Sequence, residues 1–538
     1  MRITESKAKS RLGRAAVVVA GSLSLVASGG FAANADPTHE NSNNNNSQKL
    51  RTAVSPESVM GHLGALNDIA AAHDGTRASG TEGYKASVDY IVENLRAAGY
   101  DPELQAFEFP FYAELSPAVL AKTAPVATDY SEDDYETMTF SGSGEITAAV
   151  SAVDTDGTAG ASDSGCEADD FAGFTAGSIA LIQRGSCTFA QKAINAEQAD
   201  ASAVIIFNSG AEGATEAVIG TLGSPAVTIP VVGASHAVGN DLLGDGVEAH
   251  VKVDTISETR VTWNVFAETA SGNPDNVVMV GGHLDGVLAG AGINDNGTGS
   301  AAILSVAEAM QKVKTENKVR FAWWGAEELG LLGAEHYVAD LAAKGELDEV
   351  GLYLNFDMIG SPNYGRFVYD GDNSAFPVGP GAAEGPEGSG EIEQDFHDYF
   401  ASQGLASGET AFSGRSDYGP FIAEGIPAGG LFTGAEGIKT EEQAALFGGQ
   451  AGVAYDKCYH AACDDLSNVN VQAVDEMSDA VAHLTLTYAM STVGVNGEGE
   501  AVKGNAKNKE KFTGNPLGGG TDSGGGLHPE HGHELAVK

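Results

Sequence analysis

Val59, Leu63, Leu66 and Ala70 recur at helical spacing behind Ser55-Pro56, an N-cap followed by proline at the first helical position, so the pattern predicts a helix there. A second helix is predicted over 82–98. Val88, Ile91, Val92 and Leu95 form its stripe, and Gly99 supplies the left-handed stop. From about 110 to 254 the texture changes to short β-rich runs separated by Gly, Ser and Asp, which predicts a separate small domain set into the first. Within it, residues 177–183 and 203–207 read as strands around a helix over 190–201. After Asp254 strands and helices alternate: 277–281 and a helix after Gly299, 319–324 and a helix after Glu328, then 352–356. Such alternation predicts an α/β fold whose mixed, largely parallel sheet is flanked by helices.

The two ends differ from this body. A basic start, then an uncharged stretch to Ala33-Asn34-Ala35, predicts a cleavable secretory signal over 1–35. Residues 36–50 carry an asparagine run and read as a linker or pro-segment. The tail over 496–538 reads as low-complexity, and it includes His528, His531 and His533. The remaining segments are 51–109 and 255–495, two parts of one domain, around the insert over 110–254. No stretch is long and apolar enough to span a bilayer once the signal is gone.

Lys and Arg number 29 against 74 Asp and Glu, giving a formal charge of −45. That balance excludes nucleic acid and anionic membrane as partners. A soluble, secreted, extracellular monomer is expected. The four cysteines fall as two local pairs, Cys166 with Cys187 and Cys458 with Cys463, and in an exported chain each pair is expected to close a disulfide.

Three strand ends in succession carry chemistry: Gly-Gly-His283-Leu-Asp285, Trp324-Gly-Ala-Glu327-Glu328 and Asn355-Phe356-Asp357. In open α/β sheets the ligand site lies off the carboxyl ends of the strands, so these groups should converge. The loop at Asn294-Asp295-Asn296 and the segment Cys458-Tyr459-His460 add further donors. Singly, Asp295-Asn-Gly reads as turn chemistry and Glu327-Glu328 as first-turn helix acids. Jointly, two imidazoles and several carboxylates suit divalent metals of the zinc type, and their number suggests two ions. Neighbouring acids at a strand end cannot point the same way, so one of Glu327 and Glu328 can bind metal while the other faces the attacking water. Asp285 is placed to hold the His283 imidazole in one tautomer, and Tyr459 to donate to a developing oxyanion.

The motifs His283-Leu-Asp285, Gly-Ile-Asn-Asp295-Asn-Gly, Trp-Gly-Ala-Glu327-Glu328, Asn-Phe-Asp357-Met-Ile-Gly, Gly414-Arg415-Ser-Asp and Cys-Tyr459-His460 occur in an order that resembles the M28 family of co-catalytic zinc aminopeptidases, most of all the secreted bacterial leucine-preferring type. The likeness covers roughly 54–110 and 256–492. It implies the zinc exopeptidase fold, two Zn2+ per chain, and peptide or protein N-termini as substrate. It further implies His283 and Asp357 on one zinc, Glu328 and His460 on the other, Asp295 between them, and Glu327 as general base. Arg415 resembles the active-site arginine of the family, and Met358, Gly414 and Phe432 the positions lining its apolar side-chain pocket. The insert, with Cys166, Asp170-Phe171 and Arg184-Gly-Ser-Cys-Thr-Phe189, resembles the protease-associated domain, which brings no catalytic residues. A calcium site of the family would draw on Asp475 and Asp479, but its N-terminal acid is replaced at Ala53-Val54, so calcium activation is not implied. A carboxypeptidase, a glutaminyl cyclase-like enzyme or an inactive binding module on the same fold are the competing readings.

Overall fold

The computed structural model describes residues 47–497 and Leu535–Val537. The signal segment, nearly all of the linker and most of the tail lie outside the described residues. Two boundaries move. Residues 47–50, placed in the linker by composition, are the first turn of a helix over Ser47–Ala53 whose Leu50 is buried. Leu535–Val537, placed in the tail, pairs antiparallel with Gly408–Thr410 at the edge of the sheet.

Four parallel strands form the centre: Ala428–Phe432, Val350–Phe356, Asn273–His283 and Asn317–Trp324, adjacent in that order. All are buried along most of their length, which is why they read as continuous apolar runs rather than alternating ones. Successive residues nonetheless serve opposite faces. Val278, Val280, Trp323, Leu352 and Leu354 join the core beneath the helices Pro56–Ala72, Glu82–Ala98, Thr298–Met310 and Val471–Met490. Val277, Met279, Trp324 and Tyr353 join the core beneath Leu332–Lys344 and Tyr418–Ala423. The chain leaves Asn273–His283 by a helix on one face and returns from Asn317–Trp324 by a helix on the other. The strand ends beside Asn273–His283 are therefore a topological switch point.

The two helices expected near the start occur as Pro56–Ala72 and Glu82–Ala98. The Ser55 hydroxyl accepts from the Ser58 N–H, and Gly99 is left-handed at φ 101°. In the insert, Ile179–Gln183, Ala203–Phe207 and Val231–Ala234 run parallel, with Phe189–Gln198 between the first two, and they bury one core on each side. Both expected disulfides are present, Cys166–Cys187 and Cys458–Cys463.

No loop marks the expected boundaries near 110 and 254. Glu103–Ala124 and Glu248–Glu268 are single long strands that pair antiparallel through both positions, so a two-stranded ribbon carries the insert. Ala113 faces Ile256 across it. Joining these two residues by an Asn-Gly turn, which suits a tight hairpin, should remove the insert while keeping turnover of a small leucine amide. Complete loss of turnover in a folded deletion variant that still binds metal would show that the insert serves the chemistry.

Candidate active site

The carboxyl ends of three central strands deliver His283, the Glu327-Glu328 pair and Asp357 to one cleft. Glycines make the approach possible. A Cβ on Gly282 would lie 2.4 Å from the Phe356 carbonyl oxygen and one on Gly299 2.1 Å from it, so the His283 strand and the helix Thr298–Met310 close on Asp357 only without side chains there. Asn296 ties the same junction. Its amide donates to the Phe356 carbonyl and its side-chain oxygen accepts from the Gly299 and Met358 N–H groups. The helix expected straight after Glu328 begins only at Leu332, so the two glutamates sit in a loop rather than in a first helical turn.

The Asp295 carboxylate lies between two imidazoles, Oδ1 at 3.3 Å from His283 Nε2 and Oδ2 at 3.2 Å from His460 Nε2. His283 Nε2 also meets Asp357 Oδ1 at 3.2 Å and Glu327 Oε2 at 3.9 Å, while His460 Nε2 meets Glu328 Oε2 at 2.9 Å. Asp357 is oriented by the Ser416 hydroxyl, which donates to Oδ2 at 2.6 Å and leaves Oδ1 facing the cleft. Burial raises the Glu327 carboxyl well above its usual range, helped by Asp417 and Asp357, and it raises Glu328 to about 7 with Asp295 adding to the effect. Burial opposes charge on the imidazoles. Even so, Glu327 and Asp357 hold His283 well above its usual value, and Asp295 with Glu328 raises His460 to about 11. Protons thus gather where the donor set calls for positive charge.

A metal fits these residues. Glu328 Oε1 and Asp285 Oδ2 are buried without a hydrogen-bond partner, and imidazole with carboxylate is a zinc-type donor set. The groups His283, Asp295, Glu328 and His283, Glu327, Asp357 each bring their donor atoms within 4.8 Å of one another.

Asp285 acts differently from the expectation. His283 Nδ1 lies 3.1 Å from the backbone carbonyl of Asp285, whereas its carboxylate is 3.8 Å away and accepts the Glu327 N–H at 3.3 Å. The carbonyl sets the tautomer and the carboxylate links the two loops. Burial raises that carboxyl to about 6. Arg415 donates from Nη2 to the Tyr459 hydroxyl at 3.0 Å and from Nη1 to Glu436 at 2.9 Å. Tyr459 stacks on His460 with ring centroids 3.8 Å apart. Met358, Phe432 and Tyr369 line the apolar side of the cleft. Gly414 is not among its lining residues; it takes φ 80° and donates its N–H to the Tyr418 hydroxyl, turning the chain just before Arg415. Asp479, one of the two acids considered for calcium, pairs instead with Arg51 at 3.1 Å.

Several supporting residues carry no motif of their own. The Asp464 carboxylate accepts the backbone N–H groups of Asn294 and Asp295 at 2.8 and 3.0 Å. Arg77, fully buried, donates to the carbonyls of Leu284, Ala291 and Gly292. Asp464 directly follows Cys463, so the short disulfide loop delivers His460 and closes on the group that fixes the Asp295 backbone. Replacing both Cys458 and Cys463 by serine should lower activity and zinc retention more than thermal stability, because a loop this short constrains the unfolded chain only modestly. Unchanged kinetics in that variant would rule out a positioning role.

Residues 264–485 match Peptidase family M28 and residues 146–242 match the PA domain. An aminopeptidase of Pseudomonas aeruginosa is 48% identical over 457 residues, covering 84% of each chain. Leucine aminopeptidase 2 of Arthroderma otae is 42% identical and covers 84% of this chain and 87% of its own. Among solved structures, an aminopeptidase from an Aneurinibacillus species superposes with a TM-score of 0.56 at 26% identity, over 85% of this chain and 98% of its own. A zinc aminopeptidase from Bacillus subtilis shares the fold, with a TM-score of 0.52 at 24% identity over 81% and 95%. With its strand-end histidine and carboxylates, the chain belongs to peptidase family M28. It is a metallo-aminopeptidase carrying a PA domain.

Proposed function

We propose that the chain is an exported aminopeptidase that works with two zinc ions and hydrolyses the first peptide bond of peptides and proteins, favouring leucine and other large apolar N-terminal residues. His283 and Asp357 would hold one ion and Glu328 and His460 the other, with Asp295 shared. The observation that carries this reading is the Asp295 carboxylate, whose two oxygens face separate imidazoles at 3.3 and 3.2 Å. Bound zinc supplies Lewis acidity toward the scissile carbonyl and activates water.

The side chains do the rest. Glu327 takes a proton from the attacking water and passes it to the leaving amine, since its carboxylate is near the metal donors and not required as one. Arg415 can only donate, so the Tyr459 oxygen is the acceptor of that contact and the phenol proton remains for the carbonyl oxygen as negative charge develops. Met358, Phe432 and Tyr369 offer an apolar wall to the first side chain. The two disulfides suit an oxidising compartment, as export requires.

Purified enzyme should hold two zincs in the catalytic cleft and release leucine from an unblocked peptide but not from an amino-blocked one. Cleavage of amino-blocked peptides from the carboxyl end would assign a carboxypeptidase instead.

A further inference from the structure

Apart from the catalytic cleft, a set of largely buried ligating side chains lies between the helix Ser389–Ser402 and the strand Gly408–Thr410. Glu393 and His397 stand four residues apart and therefore share one helical face, while Glu409 comes from the strand. The carboxylate side chains are 3% and 1% exposed, which is rare for glutamate and costly for two like charges placed together. His397 Nε2 is buried without a hydrogen-bond partner and lies 3.6 Å from Glu393 Oε1 and 3.7 Å from Glu409 Oε1. The three donor atoms lie within 4.8 Å of one another.

These separations are too long for N–H···O hydrogen bonds, which cluster near about 2.9 Å. They are close to what two ligands of one ion require: donors each about 2.0 to 2.2 Å from a tetrahedral zinc stand roughly 3.3 to 3.6 Å apart. The surroundings orient the donors as a metal site needs. His397 Nδ1 is 2.7 Å from the Ser407 hydroxyl, so a proton held at Nδ1 turns the Nε2 lone pair toward the two acids. Glu393 Oε2 accepts the backbone N–H groups of Gly371 and Asp372 at 2.9 and 3.3 Å, which aims Oε1 at the imidazole.

We propose that Glu393, His397 and Glu409 form a further divalent-cation site of the zinc type. Its three protein donors leave room for water as the fourth. None of the three lines the catalytic cleft, so the ion is structural: it ties the helix Ser389–Ser402 to the strand Gly408–Thr410.

Elemental analysis of the full-length enzyme, equilibrated with zinc and then desalted, tests the site by a difference. His397→Ala and Glu409→Gln should each retain one zinc fewer than the unsubstituted enzyme, whatever the number held in the cleft, with turnover of a leucine substrate within about twofold. Should either substitution prevent folding, crystals of the unsubstituted enzyme decide the matter. An anomalous-difference peak at the zinc edge, about 2.0 to 2.2 Å from His397 Nε2, is expected. Equal zinc content in enzyme and variants, or no peak at Nε2, would overturn the proposal and leave a charged triad only. Failure of the two-zinc reading of the cleft would change the total and not the difference.

Discussion

Glu327→Gln is expected to lower turnover by at least about 10²- to 10⁴-fold, the usual contribution of general acid–base catalysis, while the enzyme keeps its full zinc content. Glu328→Gln should fail in the opposite way: one zinc binds weakly, and activity returns in part when zinc is added. The geometry motivates the contrast. Glu328 Oε2 is 2.9 Å from His460 Nε2 and its other oxygen is buried without a partner, as befits a ligand. Glu327 Oε2 stands 3.9 Å from His283 Nε2, outside the shorter contacts made by Asp295 and Asp357. The substitutions are isosteric and adjacent, so general destabilisation poorly explains a difference between them. Zinc stoichiometry measured beside turnover decides the matter, and loss of a metal in Glu327→Gln with full retention in Glu328→Gln would reverse the assignment.

What the sequence discloses of this site follows from where the donors sit. His283, Glu327, Glu328 and Asp357 are at or just beyond the ends of buried parallel strands, and such strands announce themselves as continuous apolar runs with an abrupt polar end. Asp295, Tyr459 and His460 come from loops, and only their order relative to the strand motifs suggests a shared cleft. Arg77 and Asp464 act through contacts to residues far along the chain, and no local periodicity marks them; Ser416 falls within the Gly414-Arg415-Ser-Asp motif, but its contact to Asp357 is equally long-range. The same limit governs the ribbon. Composition changes near 110 and 254, but pairing of Phe109 with Arg260 and of Glu114 with Thr255 is a long-range match that leaves both strands unbroken. Asp285 shows a finer limit. Its spacing from His283 permits either its carboxylate or its carbonyl to meet the imidazole, and the backbone path selects the carbonyl.

Arg77→Met is expected to reduce stability by about 3 to 5 kcal/mol, read from the shift in denaturant midpoint, and to weaken zinc retention in the same protein. The side chain is 0% exposed, and its guanidinium spreads three donors over the carbonyls of Leu284, Ala291 and Gly292. Methionine fills much of the volume and supplies no donor, so three carbonyl oxygens lose this partner at roughly 1 to 3 kcal/mol for each one left unsatisfied. Burial lowers the guanidinium to about 10, against the pull of Asp464 and Asp285, so the charge persists at neutral pH and is balanced by acids of the site itself. Those carbonyls flank the chemistry: Leu284 lies between His283 and Asp285, and Gly292 starts the turn that presents Asp295. Arg77→Lys keeps the charge but offers a compact ammonium in place of a planar fork, so it should restore only part of the loss. An unchanged midpoint together with unchanged zinc retention in Arg77→Met would mean that the loops around His283 and Asp295 hold their shape without this residue.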